Sequence, residues 1–514
     1  MNDKDYPYKD AHCDLLMKEG IEGLPDEDAV NRTISLSTLA IEIGRKDCLE
    51  RALAWHEDLE RREICDELAI FLDFNRANAI AGNRYGTHWQ WEQPTLVREI
   101  FYLRRAVSNP CFSRVPDVTR CAVLNNLGSR LRVAGRLVDS LEYWRRALEV
   151  QPNFGMALCN RAGGLVNYAK AIEDPGKRAL LFLVAHKEAS AALASTAIYM
   201  HPHDEHTRKA AKGLKEWIES FLDIEGISAI DPLTWEDTST TEAERGYRRW
   251  CLANRLYLNE ANDLGQHTVA TTDTLVLPSH VVSVDAPQIF ESFFDQMKQE
   301  YVSARWMLYE GLSAEAPHFS DRDVYLYKTE PHPRLSLAIE RIKAAYRISY
   351  SLFDKIGFFL NGYMSLGIPE REVSFRRLWR SGEKQPIRNE FDQTGNWGLC
   401  ALYWLAKDFY EKKNDEVAEP EAQSLSDIRN HLEHKYLRIV VDERASSPPD
   451  DLALIVSSEQ FVAKALHLLR RARSALIYLV IGVGLEERRR QTRYNGMPIE
   501  ELRRPPELPD ADKI

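Results

Sequence analysis

The sequence predicts a mostly α-helical protein with an N-terminal helical-repeat solenoid, a C-terminal four-helix-type bundle and short strands possible in the region between them. Two observations lead to this prediction. Apolar residues recur at helical spacing along most of the chain, as they do from Ile34 to Ile43. Strand-like alternation is rare, and any strands are expected in the β-branched segment TVATTDTLVLPSHVVSV of the middle region.

Composition limits the classes of protein that this chain can belong to. With 514 residues, 44% hydrophobic and 28% charged, it is an ordinary globular chain large enough for several domains. The net charge of -11 disfavours a uniformly basic nucleic-acid coat but allows a local basic patch. The eight cysteines include no CxxC pair, which disfavours zinc ribbons and indicates a reducing compartment.

No segment has the character of a membrane span or a signal peptide. The N-terminal residues are polar, and the longest strongly apolar stretch, ALIYLVIGVGL at 475–485, is too short for a bilayer, which needs about 20 residues. We therefore expect this stretch to form a buried core helix. The expectation is a cytoplasmic protein with no membrane partner.

Residues 30–220 are predicted to form a tetratricopeptide (TPR)-like helical region. In the segment from Cys121 to Pro152, Gly128, Gly135, Trp144 and Ala147 fall at the spacing of a TPR repeat. Small residues let two helices cross closely, and the tryptophan fills the gap between them. The neighbouring segments match less well, so a generic helical bundle remains an alternative.

The rest of the chain divides into an intermediate region at 226–330, a helical bundle at 333–495 and a tail at 496–514 that we expect to be disordered. The bundle is predicted to contain four helices. The third helix contains SDIRNHLEHKYLRI and is expected to be capped by Ser424 or Ser426, with its polar motif in the first turns.

That polar motif is Arg429-Asn430-His431-Leu432-Glu433-His434, an R-x4-H pattern. Arg429 and His434 are five residues apart, about 140° around a helix axis, so only the long arginine side chain can converge with the imidazole. Guanidinium suits a phosphate and imidazole suits proton transfer, a pair that fits RNA cleavage by the 2′-hydroxyl. The spacing alone is weak, because Arg51 and His56 also match it, and a solvated helix face is the alternative.

A four-helix bundle with R-N-x3-H in its third helix resembles the HEPN family of nucleotide-binding and RNase domains. The segments RISYSLFDKIGFFLNGY and YRRWCLANRLYLNEANDL further resemble a bacterial branch in which the domain follows TPR-like helices. The resemblance covers roughly residues 245–490. It implies a metal-independent endoribonuclease that acts as a dimer, often in anti-phage defence or as a toxin.

The resemblance also implies roles for single residues. Arg429 would bind the scissile phosphate, His434 would act as general base or acid, and Asn430 would orient one of them. Neither a metal nor a cofactor is implied. Whether His431, Asp354 and Lys355 take part stays open.

Basic residues cluster late in the chain, where Arg470, Arg471 and Arg473 form a candidate RNA-binding patch. A salt-bridged helix surface is the alternative for these three arginines. One predicted helix of the bundle carries an apolar stripe formed by Leu352, Ile356 and Phe359. This stripe is either a candidate dimer contact or simply bundle core.

The sequence thus favours a metal-independent endoribonuclease with RNA as substrate, a homodimer through the C-terminal bundle, and a protein or peptide partner for the TPR-like region. The alternative is a non-catalytic HEPN module for dimerisation or nucleotide binding on a TPR scaffold. Nucleotidyl transfer together with a separate enzyme is a third hypothesis.

Overall fold

The computed structural model describes residues 6–82, 91–200, 204–229, 231–280, 289–328, 332–382, 385–392, 394–410, 418–420, 422–441, 452–493, 508–510 and 513. The chain forms two compact units. The first contains residues up to 166 together with 182–222 and 407–423, and the second contains 167–181, 223–406 and the residues from 424 onward. Most of the tail at 496–514, for which disorder is expected, lies outside the described residues.

The first unit is built from helices. The division between the units falls inside two of its helices, α8 and α9. The helices, in chain order, are α1 (Tyr6–Glu19), α2 (Asp26–Ile43), α3 (Lys46–Glu60), α4 (Asp66–Gly82), α5 (Pro94–Ser108), α6 (Asp117–Val133), α7 (Leu137–Val150), α8 (Gly155–Ala171), α9 (Pro175–Leu193) and α10 (Glu205–Glu219), with a 3-10 turn at Phe112–Arg114.

The α6–α7 hairpin has the packing that the TPR-like spacing predicts. Trp144 is fully buried, and its indole nitrogen donates to the Asn125 carbonyl at 3.1 Å. A Cβ on Gly128 would lie 2.7 Å from that same nitrogen, so only glycine permits this close crossing. Gly135 has φ of 77° in the turn, where a left-handed backbone favours glycine. The hairpin is therefore consistent with a TPR-like unit.

The second unit contains a helical bundle and one small sheet. Its elements are α11 (Ile224–Ala229), α12 (Glu242–Ala253), α13 (Ile289–Leu312), α14 (Leu337–Tyr363), α15 (Asn389–Asp392), α16 (Trp397–Tyr410), α17 (Ala422–His434), β1 (Tyr436–Val440), β2 (Ala453–Ser457) and α18 (Ser458–Arg493). Further 3-10 turns lie at Glu260–Asp263, Thr268–Ala270, Phe319–Asp321 and Glu370–Glu372. Helices α16 and α17 each continue into the first unit.

The mostly α-helical fold class is confirmed, but the strands lie elsewhere than expected. The two described strands, β1 and β2, pair in parallel within the bundle. In the segment from 268, described as far as 280, side chains bond some of the backbone groups and no strand is assigned. The Asn259 amide donates to the carbonyls of Val269 at 2.9 Å and Thr272 at 3.0 Å, and Asp273 accepts from the Leu258 N–H at 2.7 Å.

Helix α13 packs along α14 and also contacts α18. The boundary predicted at residue 333 falls between α13 and α14, so the bundle extends further towards the N-terminus than the four predicted helices. The stripe of Leu352, Ile356 and Phe359 is core, because each side chain is at most 1% exposed within this one chain. This stripe therefore presents no surface for dimer contact.

Residues Ala475 to Leu479 of α18 are completely buried, as expected for a core helix. Among the residues that the structure describes, no helix combines the length and apolar character that crossing a bilayer requires.

Candidate functional site

Helix α17 carries the R-x4-H motif in its second half. It begins at Ala422, so Ser424 and Ser426 lie inside the helix, and Arg429 lies about two turns from its start. This corrects the expectation that the motif occupies the first turns. His434 is the last helical residue, because the following YLRIV segment pairs with β2 and begins β1 at Tyr436.

One face of α17 is buried, and α14 fixes the helix along that face. Leu425, Ile428 and Leu432 recur at helical spacing and are at most 7% exposed. The Tyr346 hydroxyl donates to the Leu425 carbonyl at 2.8 Å. The motif residues Arg429, Asn430 and His434 lie off this buried stripe and are half-buried or exposed.

Arg429 is held by an aromatic ring and by its neighbour. Its guanidinium carbon lies 5.6 Å from the ring centroid of Tyr350, a distance at which a cation–π attraction operates. Its Nη1 donates to Asn430 Oδ1 at 3.2 Å. Asn430 therefore contacts Arg429 directly. Sequence reasoning missed Tyr350, although its aromatic ring one turn after Tyr346 on α14 was a usable signal.

The last turn of α17 is fixed by a second residue that sequence reasoning missed. Arg347 donates from Nη2 to the Leu432 carbonyl at 2.6 Å, and its Nε lies 3.5 Å from Glu433 Oε1. Carbonyls at the end of a helix lack an intrahelical partner, so this contact satisfies one of them. Arg347 therefore orders the turn that ends in His434.

His434 is exposed where the helix passes into the sheet. The Lys435 N–H donates to the His431 carbonyl at 3.3 Å, and the Tyr436 N–H donates to the Leu452 carbonyl at 3.1 Å. The backbone on both sides of His434 is thereby held, while the residue itself is exposed to solvent.

The residues left open by the sequence have structural contacts. His431 is half-buried, and its Nδ1 donates to the Asp427 carbonyl one turn earlier at 2.7 Å. Asp354 accepts from the Phe375 N–H at 3.2 Å, and Lys355 pairs with Glu300 of α13. Each of the three side chains therefore has a structural partner.

The arginines proposed as an RNA-binding patch are turned inward. Arg473 is 2% exposed and donates to Asp263 Oδ1 at 2.8 Å and to the Tyr257 and Asn259 carbonyls at 2.6 and 2.8 Å. Arg470 donates to the carbonyl and side chain of Asn254 at 3.0 and 2.8 Å, and Arg471 is buried beside His467.

The contacts of Arg473 give the upstream YLNEANDL segment a structural role, because this segment receives the guanidinium group of Arg473. Arg471 and Arg473 are too deeply buried to contact a phosphate backbone, and the half-buried Arg470 is bonded to Asn254. We therefore propose no RNA-binding role for Arg470, Arg471 and Arg473.

The second R-x4-H match is part of the packing of the first unit. His56 is completely buried, and its Nε2 donates to Asn75 Oδ1 at 2.9 Å. Burial lowers the pKa of this imidazole to about 4. The guanidinium carbon of Arg51 lies 5.5 Å from the centroid of the Trp55 ring. These two residues form no accessible phosphate site.

In the described part of the chain, histidine, cysteine and acidic side chains do not gather in threes where a metal ion would be held.

Residues 281–486 match the family model described as LA2681-like HEPN, and this stretch runs from before α13 to the later part of α18. This match supports a HEPN domain over residues 281–486. A comparison with curated proteins gives no match, and a comparison with solved structures gives none either.

Proposed function

We propose that this protein is a metal-independent endoribonuclease whose site is formed by Arg429, Asn430 and His434. The proposal rests on the contacts and exposure of this motif on α17. Arg429 is pre-positioned by Tyr350 and Asn430, while His434 is exposed on a turn fixed by Arg347. A helix that only faced solvent would not need these contacts. HEPN domains include RNases, which supports the same assignment.

Each side chain has a defined task in cleavage by the 2′-hydroxyl of the RNA. Arg429 binds the scissile phosphate and stabilises the negative charge that develops there. His434 removes the proton from the attacking hydroxyl or donates one to the leaving 5′-oxygen. The new bond joins the 2′-oxygen to phosphorus as the bond to the 5′-oxygen breaks. The products are a 2′,3′-cyclic phosphate and a 5′-hydroxyl.

A single α17 supplies one arginine and one histidine, which is few groups for a reaction that needs an acid, a base and charge stabilisation. Two copies facing across a twofold axis would supply two of each around one phosphate. We therefore propose a homodimer through the HEPN domain. The TPR-like unit then serves as sensor or regulator through a protein or peptide partner, in anti-phage defence or as a toxin.

The test is incubation of the purified protein with total RNA in EDTA, beside the His434→Ala variant. We expect chelator-resistant cleavage with 2′,3′-cyclic phosphate ends that disappears in the variant. His206→Ala, which removes an exposed histidine of α10, is the matched control and should retain activity. Activity that vanishes in EDTA and returns with Mg²⁺, or cleavage that persists in His434→Ala, would overturn the proposal.

A further inference from the structure

A buried ion cluster in the first unit joins residues far apart in the sequence. Its centre is Asp408, near the end of α16, whose side chain is 2% exposed. Arg104 of α5 binds both carboxylate oxygens, from Nη1 at 2.7 Å and Nη2 at 3.1 Å. Arg136, which precedes α7 in the TPR-like hairpin, pairs with the same carboxylate. Burial opposes the charge, but the two guanidinium groups hold the pKa of Asp408 below its usual range.

The same arginine also holds the chain just ahead of α17. Arg104 Nη1 donates to the Ala418 carbonyl at 2.9 Å and lies 3.4 Å from Glu419 Oε2. Ala418 and Glu419 are both buried. One guanidinium therefore binds the last turns of α16 and the residues shortly before Ala422, where α17 begins.

This arrangement connects the first unit to α17, the helix that carries the R-x4-H motif, through the covalent chain. Residues 407–423 belong to the first unit, and α17 passes into the second unit at Ser424. The start of the helix that carries Arg429 and His434 is thus anchored in the packing of the TPR-like hairpins. Oxygen and nitrogen atoms this deeply buried are costly to separate, because each would be left unpaired away from water.

We infer that Arg104, Arg136 and Asp408 are positioning residues for the nuclease site, and that the TPR-like unit controls cleavage by holding or releasing the start of α17. This inference rests on the proposed function and gives it a mechanism of regulation. A partner that displaces α5 or the α6–α7 hairpin changes the anchor of α17. The HEPN domain alone, without the helices that bear Arg104 and Arg136, lacks this anchor.

The test compares Asp408→Asn with Glu188→Gln in the full-length protein. Glu188 pairs with Arg161 in the same unit, and both are buried, so its neutralisation is a matched loss of a buried ion pair away from residues 407–423. We expect Asp408→Asn to lower kcat about tenfold or more with little change in KM, because small displacements of catalytic groups are costly. Glu188→Gln should lower the melting temperature comparably and leave kcat unchanged.

Hydrogen exchange of the α17 amides supplies a readout that does not depend on RNA cleavage. Faster exchange over 424–434 is expected in Asp408→Asn and not in Glu188→Gln. If Asp408→Asn fails to fold, Glu419→Gln weakens only the contact nearest α17 and should show the same pattern in smaller measure.

Equal kcat and equal exchange in the Asp408 and Glu188 variants would overturn the inference. Absence of cleavage by the wild-type protein would instead count against the proposed function, and the exchange experiment would still decide whether the anchor exists.

Discussion

The guanidinium carbon of Arg429 lies 5.6 Å from the centre of the Tyr350 ring, so the cation of the R-x4-H motif rests against a side chain from another helix, α14. Tyr350 is 7% exposed and its place is set by the bundle core. Because α14 holds the ring in place, the ring restricts the position of the Arg429 side chain. The first prediction concerns this pair.

Replacing Tyr350 with leucine should lower kcat/KM for RNA cleavage about 2- to 30-fold, which corresponds to the loss of a cation–π contact of roughly 0.5–2 kcal/mol. Tyr350→Phe keeps the ring and should retain most of the activity. Steady-state cleavage of a labelled RNA measures both. Equal losses in the two variants would mean that the hydroxyl, rather than the ring, is what matters.

The second prediction concerns the last turn of α17. Arg347→Met removes the donor to the Leu432 carbonyl and the partner of Glu433, so His434 should lose its fixed position and kcat should fall. Arg341→Met is the control on the same helix, because Arg341 pairs with Glu310 of α13 at 3.3 Å instead. Cleavage rates and melting temperatures separate the two effects. A comparable drop in kcat in the control would show only a general effect on α14.

The third prediction concerns stability against pH. His56 stays neutral in the folded protein down to about pH 4, whereas an exposed histidine binds a proton near pH 6.5. Between these values the unfolded chain binds more protons, so the free energy of unfolding should fall by about 3 kcal/mol as pH drops from 6.5 to 4. Urea titrations across this range measure the loss. The non-titrating variant His56→Gln should lack this part of the pH dependence.

The fourth prediction uses the same residues to test which R-x4-H pair is catalytic. The double variant Arg51→Gln, His56→Gln should cleave RNA with unchanged chemistry and show at most a lower melting temperature, because His56 is buried on Asn75. Loss of cleavage in a well-folded double variant would mean that the catalytic pair lies in the first unit.

The fifth prediction concerns the dimer. Arg429→Ala and His434→Ala proteins should each be inactive, and mixing them should restore part of the activity, because a mixed dimer has one arginine and one histidine from different chains. Light scattering of the wild type should give the mass of a dimer. A strict monomer that cleaves RNA at full rate would refute the composite site.

The helices and the motif could be predicted from sequence because both are local. Apolar spacing is a property of neighbouring residues. It predicts helices at 334–363, at 398–410 and at about 457–490, and α14, α16 and α18 lie within a few residues of these bounds. Gly128 and Trp144 meet within one hairpin, so their packing was also predictable. The R-x4-H pattern lies within six consecutive residues.

The sequence by itself therefore determined the helical class, and it predicts the TPR-like hairpin and the candidate catalytic pair. Only the tertiary structure decided which charged residues are buried in ion pairs, because each such pair depends on a partner far along the chain. Arg473 binds Asp263 across 210 residues, and Asp408 binds Arg136 across 272. The strand β1 likewise exists because β2 pairs with it. Periodicity indicates which face of a helix is apolar. It does not indicate which arginine or lysine will form a buried ion pair, because the partner carboxylate lies far along the chain.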